Sequence, residues 1–127
     1  MAMSTDNKRI VQDAYDGMRG GDVQAFLGAL DDEIVVHEPD CLPYGGVTRG
    51  LREFLAVLPK AGAVLDASKL EVEELVADGD SVVAIIRIGV RGGPDDVRLA
   101  EHWRLCDGKA VELRVFWFDP SLVPAAA

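Results

Sequence analysis

The stretch KLEVEELVADGDSVVAIIRIGVRGGPDDVRLAEHWRLCDGKAVELRVFWF, residues 69–118, decides the fold class. It contains four strand-like segments, rich in β-branched and aromatic residues and separated by turn residues. The segments are residues 69–77, 81–90, 96–106 and 110–118. The connectors are Asp78-Gly79-Asp80, Gly92-Gly93-Pro94-Asp95 and Asp107-Gly108-Lys109. Because each connector supplies the glycine that tight hairpins need, we predict an antiparallel meander of four long strands.

Three helical segments and one short strand precede this meander. In each helical segment, apolar side chains recur at the spacing of one helix face. The predicted helices cover residues 5–20, 22–30 and 48–58, and the predicted strand covers residues 34–38. The second helix has Asp22 as its N-cap, and the third is expected to end at Pro59 and Gly62.

The order of these elements predicts an α+β fold. We expect three N-terminal helices to pack on one face of a curved antiparallel sheet, giving a cone-shaped fold that encloses a small, mostly apolar pocket. With 127 residues the chain has the length of one domain, and no boundary is expected within residues 1–127.

Charge and composition exclude several classes of partner. The 22 acidic and 13 basic residues give a net charge of −9, which repels nucleic acid and anionic membranes. The chain has no long apolar run and no apolar region near its N-terminus, so we predict a cytoplasmic protein. Cys41 and Cys106 lack metal-ligand or redox spacing and are predicted to be free, buried thiols.

Glu101 is the carboxylate that the strand pattern places on an apolar face. Successive strand side chains point to opposite faces, so Glu101 lies on the same face as Leu99 and Trp103. Burial raises the pKa of a carboxyl group, so we expect Glu101 to keep its proton unless a cation or several donors lie nearby, and then to donate a hydrogen bond to a ligand oxygen. The alternative is a structural ion pair with Arg87 or Arg114.

Glu38 ends the first predicted strand, directly before Pro39. A carboxylate at such a rim can face a cavity and take a proton from carbon or water. The alternative is an ordinary glutamate at the edge of a loop. By parity, His37 points away from Glu38, and His102 points away from Glu101 toward solvent or a dimer contact.

Other polar and aromatic residues have less specific signals. Tyr15 lies on the helix face that packs on the sheet, where its hydroxyl needs a hydrogen-bond partner. The alternative to a catalytic role is that Tyr15 only packs in the core, with its hydroxyl satisfied. A metal site is not predicted, because neighbouring strand residues diverge. Only one residue of the pair His37-Glu38, and one of the pair Glu101-His102, could approach the same ion.

The last strand predicts a contact surface on the other side of the sheet. By parity, Val111, Leu113, Val115 and Trp117 share the inner side. The outer side combines polar residues with two aromatic ones: Glu112, Arg114, Phe116 and Phe118. We interpret this face as a homodimer interface, with burial under a terminal segment as the alternative.

Several motifs in this order resemble the nuclear-transport-factor-2-like superfamily, and within it the ketosteroid isomerase and SnoaL-like polyketide cyclase branch. The motifs are Gly21-Asp22, Leu30-Asp31-Asp32, Glu38-Pro39, residues 50–54, Glu101-His102-Trp103-Arg104 and Asp107-Gly108-Lys109. The resemblance covers nearly the whole chain. It implies a conical pocket, a homodimer through the outer sheet face, and no cofactor.

The same resemblance implies roles for individual residues. Ketosteroid isomerases use a carboxylate base together with a tyrosine and a protonated acid that bind the oxyanion. Glu38 matches the position of the base and Glu101 that of the protonated acid. Both positions carry Glu where the isomerases carry Asp. The tyrosine position falls on Ala14, with Tyr15 one step along.

Two functional hypotheses from different classes stay open. The first is an isomerase or cyclase that transfers a proton next to a carbonyl of a small hydrophobic ligand, with Glu38, Glu101 and Tyr15 as catalytic residues. The second is a non-catalytic ligand-binding or assembly module; an epoxide hydrolase-like enzyme is a weaker third. The predicted ligand contacts are Tyr44, Phe54, Leu58, Trp103, Leu113 and Trp117.

Overall fold

The computed structural model describes residues 4–93 and 96–123, with side chains described from Asp6 onward. The helices in these ranges are α1 (Ser4–Arg19), α2 (Val23–Leu27), α3 (Leu51–Val64) and a short 3₁₀ helix (Pro120–Leu122). The strands are β1 (Leu30–Glu38), β2 (Gly46–Arg49), β3 (Leu65–Asp78), β4 (Ser81–Val90), β5 (Val97–Cys106) and β6 (Lys109–Trp117). The predicted α+β fold is therefore confirmed.

The strands form one curved sheet in the order β2-β1-β6-β5-β4-β3. Strands β3 to β6 form the predicted antiparallel meander. The sheet is mixed, however, because β1 runs parallel to β6. An amino-acid pattern identifies a strand but not its neighbour, so the local sequence did not predict this pair. Its effect is to place the end of β1, with Glu38, beside the edge strand of the meander, one strand away from β5 and Glu101.

Two turns of the meander have the predicted geometry. Gly79 has a φ of +59°, and Asp107 and Gly108 have φ of +50° and +80°, the left-handed values that tight hairpins need. Pro94 and Asp95 of the third predicted turn lie outside the described residues.

The region around the third helix differs from the prediction. Residues 46–49 form β2 beside β1, and α3 begins only at Leu51, after Gly50 with a φ of +89°. The helix then continues past Pro59 to Val64. Pro59 is exposed, so water can solvate the carbonyl that loses its amide partner there.

The core lies between the helices and the inner face of the meander. Trp103 is fully buried and contacts the rings of Tyr15 and Phe26 edge-on, with centroid distances of 5.5 and 5.6 Å. Asn7 of α1 donates a hydrogen bond to the carbonyl oxygen of Gly79 at 2.9 Å. These contacts fix α1 across the strands that carry the polar residues of the pocket.

Both cysteines are free, but the prediction that they are buried was wrong. Cys106 ends β5 on the outer side of the sheet, and Cys41 lies in the loop after β1. A cysteine is apolar enough for a core. However, the alternation of strand side chains points Cys106 outward, and the loop position of Cys41 leaves it exposed.

None of the helices in residues 4–93 and 96–123 is long and apolar enough to cross a membrane. The longest, α1, has 16 residues, whereas a membrane span needs about 20. The cytoplasmic location stays a prediction.

Candidate functional site

A cavity of about 250 Å³ lies between the three helices and the inner face of the sheet. Its walls are mostly aliphatic and aromatic. The polar side chains among them belong to Tyr15, Glu38, Tyr44, Thr48 and Glu101. Of the described residues that line the cavity, none is a lysine, arginine or histidine. Two carboxyl groups therefore face an apolar space without a cation.

Glu101 lies on the inner face of β5, as parity predicts, and has a defined set of donors. The Tyr15 hydroxyl donates to Glu101 Oε1 at 2.5 Å, and Trp103 Nε1 donates to the Tyr15 oxygen at 2.8 Å. An indole N–H can only donate, so the tyrosine oxygen accepts from it and the tyrosine proton is left for Glu101. This chain of bonds orients the carboxyl group from α1 and from its own strand.

The alternative of a structural ion pair is not found for Glu101. Arg87 pairs with acidic side chains on the outer side of the sheet, Glu71, Glu73 and Asp96. Arg114 pairs with Glu112. Among the described residues, neither arginine pairs with Glu101, and Tyr15 is its hydrogen-bond donor.

Glu38 faces the same cavity from the end of β1. Its Oε1 accepts a long hydrogen bond of 3.4 Å from Trp117 Nε1. The preceding residue, His37, points to the outer side as predicted, where its Nε2 lies 3.0 Å from Glu112 Oε2. His102 also points outward, with Nε2 3.2 Å from the Ser81 hydroxyl.

The two cavity carboxyl groups differ in acidity. Burial raises the pKa of Glu101 to about 6, and the Tyr15 hydrogen bond limits the rise. Burial and then the charge of Glu101 raise the pKa of Glu38 to about 8, with only the long Trp117 bond opposing it. The two groups therefore share about one proton near pH 7, and the shorter hydrogen bond to Glu101, which stabilises its charged form, favours placing that proton on Glu38.

The upward direction of the Glu101 pKa agrees with the expectation from the sequence. The expectation that Glu101 keeps its proton applied in the absence of several nearby donors, and the Tyr15 hydroxyl is one such donor, which stabilises the charged form. A strand pattern cannot reveal this donor. Burial and the charge of Glu101 in turn hold the pKa of Tyr15 well above its usual range, so Tyr15 stays a neutral donor.

Four of the six predicted ligand contacts line the cavity: Tyr44, Phe54, Leu58 and Leu113. The two tryptophans are not among the lining residues, so this part of the prediction was wrong. Trp103 is enclosed behind Tyr15, and Trp117 lies beside Glu38 and packs against the cluster of Leu42, Tyr44 and Val123. Both indoles instead donate to groups that line the cavity.

Thr48 is a polar residue of the cavity wall that the sequence pattern did not indicate. Residue 48 was expected at the start of a helix, whereas it lies in β2 and pairs with Val36 of β1. The alternation of β2 covers only four residues, too few to stand out as a strand.

Metal-ligating side chains do not cluster in residues 4–93 and 96–123. No group of three or more His, Cys, Asp or Glu side chains there could hold an ion together. His37 and Glu38 lie on opposite sides of the sheet, and so do Glu101 and His102.

The sequence matches the family model described as "SnoaL-like domain" over residues 11–113. A comparison with functionally curated proteins finds no match. Many solved structures are similar, among them an NTF2-like protein from Burkholderia thailandensis. It has 25% identity and a TM-score of 0.80, over 91% of this chain and 92% of that one.

Two further structures carry more specific descriptions. One is TerC co-crystallized with polyporic acid, with 24% identity and a TM-score of 0.70, over 88% of this chain and 91% of that one. The other is a putative ketosteroid isomerase from Kribbella flavida, with 15% identity and a TM-score of 0.72, over 97% and 85% of the chains. At these identities the likeness shows the fold alone.

Proposed function

The chain belongs to the SnoaL-like domain family, and on that premise we propose that it catalyses proton transfer next to a carbonyl group of a small, hydrophobic ligand, without a cofactor. The observation that carries this proposal is the pair of carboxyl groups, Glu38 and Glu101, in one apolar cavity without a cation. The cavity volume lies just below the usual range for ligand sites, about 300–1,000 Å³, which favours ligands of one or two rings.

The hydrogen bonds and acidities favour Glu101 as the base. Its carboxylate takes a proton from the carbon next to the carbonyl. The electron pair of that C–H bond forms a C=C bond, and the π pair of the carbonyl moves onto its oxygen to give an enolate. In a ligand with a β,γ double bond, Glu101 returns the proton to the γ carbon, which restores the carbonyl and completes an isomerisation. In a ligand with a second carbonyl, the enolate carbon attacks that carbonyl instead, and the proton held by Glu101 passes to the resulting alkoxide to complete an aldol-type cyclisation.

Glu38 and Tyr15 have supporting roles in this scheme. Glu38, protonated near pH 7, can donate a hydrogen bond to the developing enolate, which is the electrostatic contribution that usually matters most. Tyr15 positions Glu101 and keeps it ionised. This assignment exchanges the roles that the resemblance to ketosteroid isomerases implies for the two glutamates.

Solvent isotope exchange tests the proposal without knowledge of the natural substrate. The protein in D₂O is expected to accelerate deuterium uptake at the carbons next to the carbonyl of 2-tetralone, a bicyclic ketone, as followed by NMR. Glu101→Gln should lower this acceleration by about 100-fold or more, the usual contribution of a general base. Glu38→Gln keeps a neutral donor and should cost about 10-fold or less.

The outer-face variant Glu112→Gln is the matched control and should exchange at the wild-type rate. A wild-type protein that does not accelerate exchange in 2-tetralone or related cyclic ketones would contradict the enzymatic proposal. Tight ketone binding without exchange would instead favour the ligand-binding module. A larger loss in Glu38→Gln than in Glu101→Gln would restore the roles implied by the family resemblance.

The proposal also includes a homodimer through the outer sheet face. Phe116 is 56% exposed on β6 and Phe118 is 88% exposed just after it, which is unusual for large aromatic side chains. Phe116→Arg is expected to convert a dimer to a monomer in sedimentation velocity. Leu55→Arg, on the exposed side of α3, should leave the dimer intact. A wild-type monomer would contradict this part.

A further inference from the structure

The cavity contains a second tyrosine, Tyr44, whose hydroxyl has no function in the scheme so far. The residue is 5% exposed and belongs to the cavity wall. Among the described residues, this buried hydroxyl has no hydrogen-bond partner. A buried polar group without a partner destabilises the folded protein, and a bound ligand with an acceptor oxygen can remove this cost.

The two cavity tyrosines therefore differ in what they can offer a ligand. Tyr15 already donates its one proton to Glu101 and accepts from Trp103. Tyr44 has its proton free for a new acceptor. Burial raises the pKa of Tyr44, and the nearby charges of Glu38 and then Glu101 raise it further. Tyr44 therefore also stays a neutral donor.

The loop that carries Tyr44 holds it in a fixed place. Leu42 N donates to the Pro39 carbonyl oxygen at 3.1 Å, and Gly45 N donates to the Leu42 carbonyl oxygen at 3.0 Å. A Cβ atom at Gly45 would lie 2.0 Å from the Pro39 oxygen, so only glycine allows the loop to close so tightly. The chain then enters β2, where Gly46 pairs with Glu38.

We propose that Tyr44 is the hydroxyl that donates a hydrogen bond to the carbonyl oxygen of the bound ligand. This inference rests on the proposed function, because it names a second donor, beside Glu38, to the oxygen where the negative charge of the enolate develops. It implies ligands with a carbonyl acceptor and an apolar ring, and it makes Tyr44 a determinant of specificity for a ketone over a hydrocarbon.

Binding of two matched probes tests the inference, independently of turnover. 2-Tetralone carries the carbonyl oxygen and tetralin, the corresponding hydrocarbon, lacks it. The wild-type protein should bind the ketone more tightly, as measured by calorimetry or NMR titration. Tyr44→Phe should weaken ketone binding by about 5-fold, equivalent to about 1 kcal/mol, and leave tetralin binding unchanged.

Two controls separate this role from a structural one. Tyr44→Phe keeps the ring and removes only an unpartnered hydroxyl, so its thermal midpoint should equal or exceed that of the wild type. The carbonyl ¹³C resonance of bound ketone should shift in Tyr44→Phe but not in Glu112→Gln. An unchanged ratio of ketone to hydrocarbon affinity in Tyr44→Phe, or no ketone preference in the wild type, would overturn the inference. Tyr44-dependent binding without isotope exchange would contradict the proposed catalysis alone.

Discussion

Glutamates on the two faces of the sheet have pKa values shifted in opposite directions. On the outer face, Glu112 of β6 contacts His37, Arg104 and Arg114. Partial burial acts to raise its pKa, but the hydrogen bond with His37 and the charge of Arg114 outweigh this effect and hold the pKa below its usual range. On the inner face, Glu101 of the adjacent strand β5 faces an apolar cavity, and burial raises its pKa to about 6.

The contrast shows what makes a carboxyl group in this fold available for chemistry. Glu112 lies beside two arginines and a histidine, and its lowered pKa keeps it ionised near pH 7. Glu101 and Glu38 have no cation among the described residues of their cavity, so their pKa values of about 6 and about 8 bracket neutral pH. Groups with such values can both take and return a proton under physiological conditions.

The largest expected effect is the dependence of stability on pH that Glu38 causes. Its pKa is about 8 in the folded state and near 4.5 when unfolded, so folding becomes less favourable as pH rises between these values. Glu38→Gln removes this loss of stability. Between pH 5 and 8.5, the free energy of unfolding of Glu38→Gln minus that of the wild type should therefore increase by about 4 kcal/mol, at 1.36 kcal/mol per unit of pKa difference.

Urea denaturation of both proteins at several pH values measures this effect. Glu112, on the outer face, is the control, and its contribution to stability should change with pH in the opposite direction. Because the pKa of Glu112 is lowered in the folded state, its contribution is present above the unfolded pKa and disappears as pH falls through the folded one. Parallel pH dependences in the wild type and Glu38→Gln would show that Glu38 is solvated.

A smaller effect is expected when the inner face loses its donor. Tyr15→Phe leaves Glu101 without its hydrogen bond and the fully buried Trp103 indole without an acceptor. Its stability should fall by about 1–3 kcal/mol, and the pKa of Glu101 should rise, because the Tyr15 hydrogen bond lowers it in the wild type. In the pH profile of deuterium exchange, the pH below which the rate falls would then move to a higher value. Tyr44→Phe, which loses no partner, should show neither change.

The smallest expected effect is that of neutralising the outer-face carboxylate. Glu112→Gln removes three contacts with side chains that are 35% to 59% exposed, each worth about 0.2–1 kcal/mol. Its unfolding free energy at pH 7 should fall by about 1 kcal/mol, and ketone exchange should be unaffected. A loss of exchange as large as that in Glu101→Gln would mean that the two faces are coupled.

Much of the candidate site could be predicted, because strand parity is a strong constraint. Parity placed Glu101 inward and His37 and His102 outward, and the helical spacing placed Tyr15 toward the sheet. The family resemblance added the pairing of Glu38 with Glu101 in one pocket. Turn residues such as Asp107-Gly108 located the hairpins of the meander.

The rest depends on contacts between distant segments, which local patterns do not contain. Tyr15 and Glu101 are 86 residues apart, and only the tertiary packing of α1 on the sheet shows that one donates to the other. The parallel pairing of β1 with β6 and the position of Trp103 behind Tyr15 likewise follow from tertiary packing. For this reason the sequence identified the two glutamates but not the donor that orients and stabilises Glu101.

The pairing of two buried carboxyl groups in one cavity is tested by a titration of the glutamate side-chain carboxyl groups by ¹³C NMR, with Glu38→Gln and Glu101→Gln used to assign the resonances. We expect Glu101 to titrate near pH 6 and Glu38 near pH 8, as two steps of one interacting pair. Titration of both groups near pH 4.5 would overturn the proposed role of the pair, because two solvated carboxylates could not share a proton with a ligand at neutral pH.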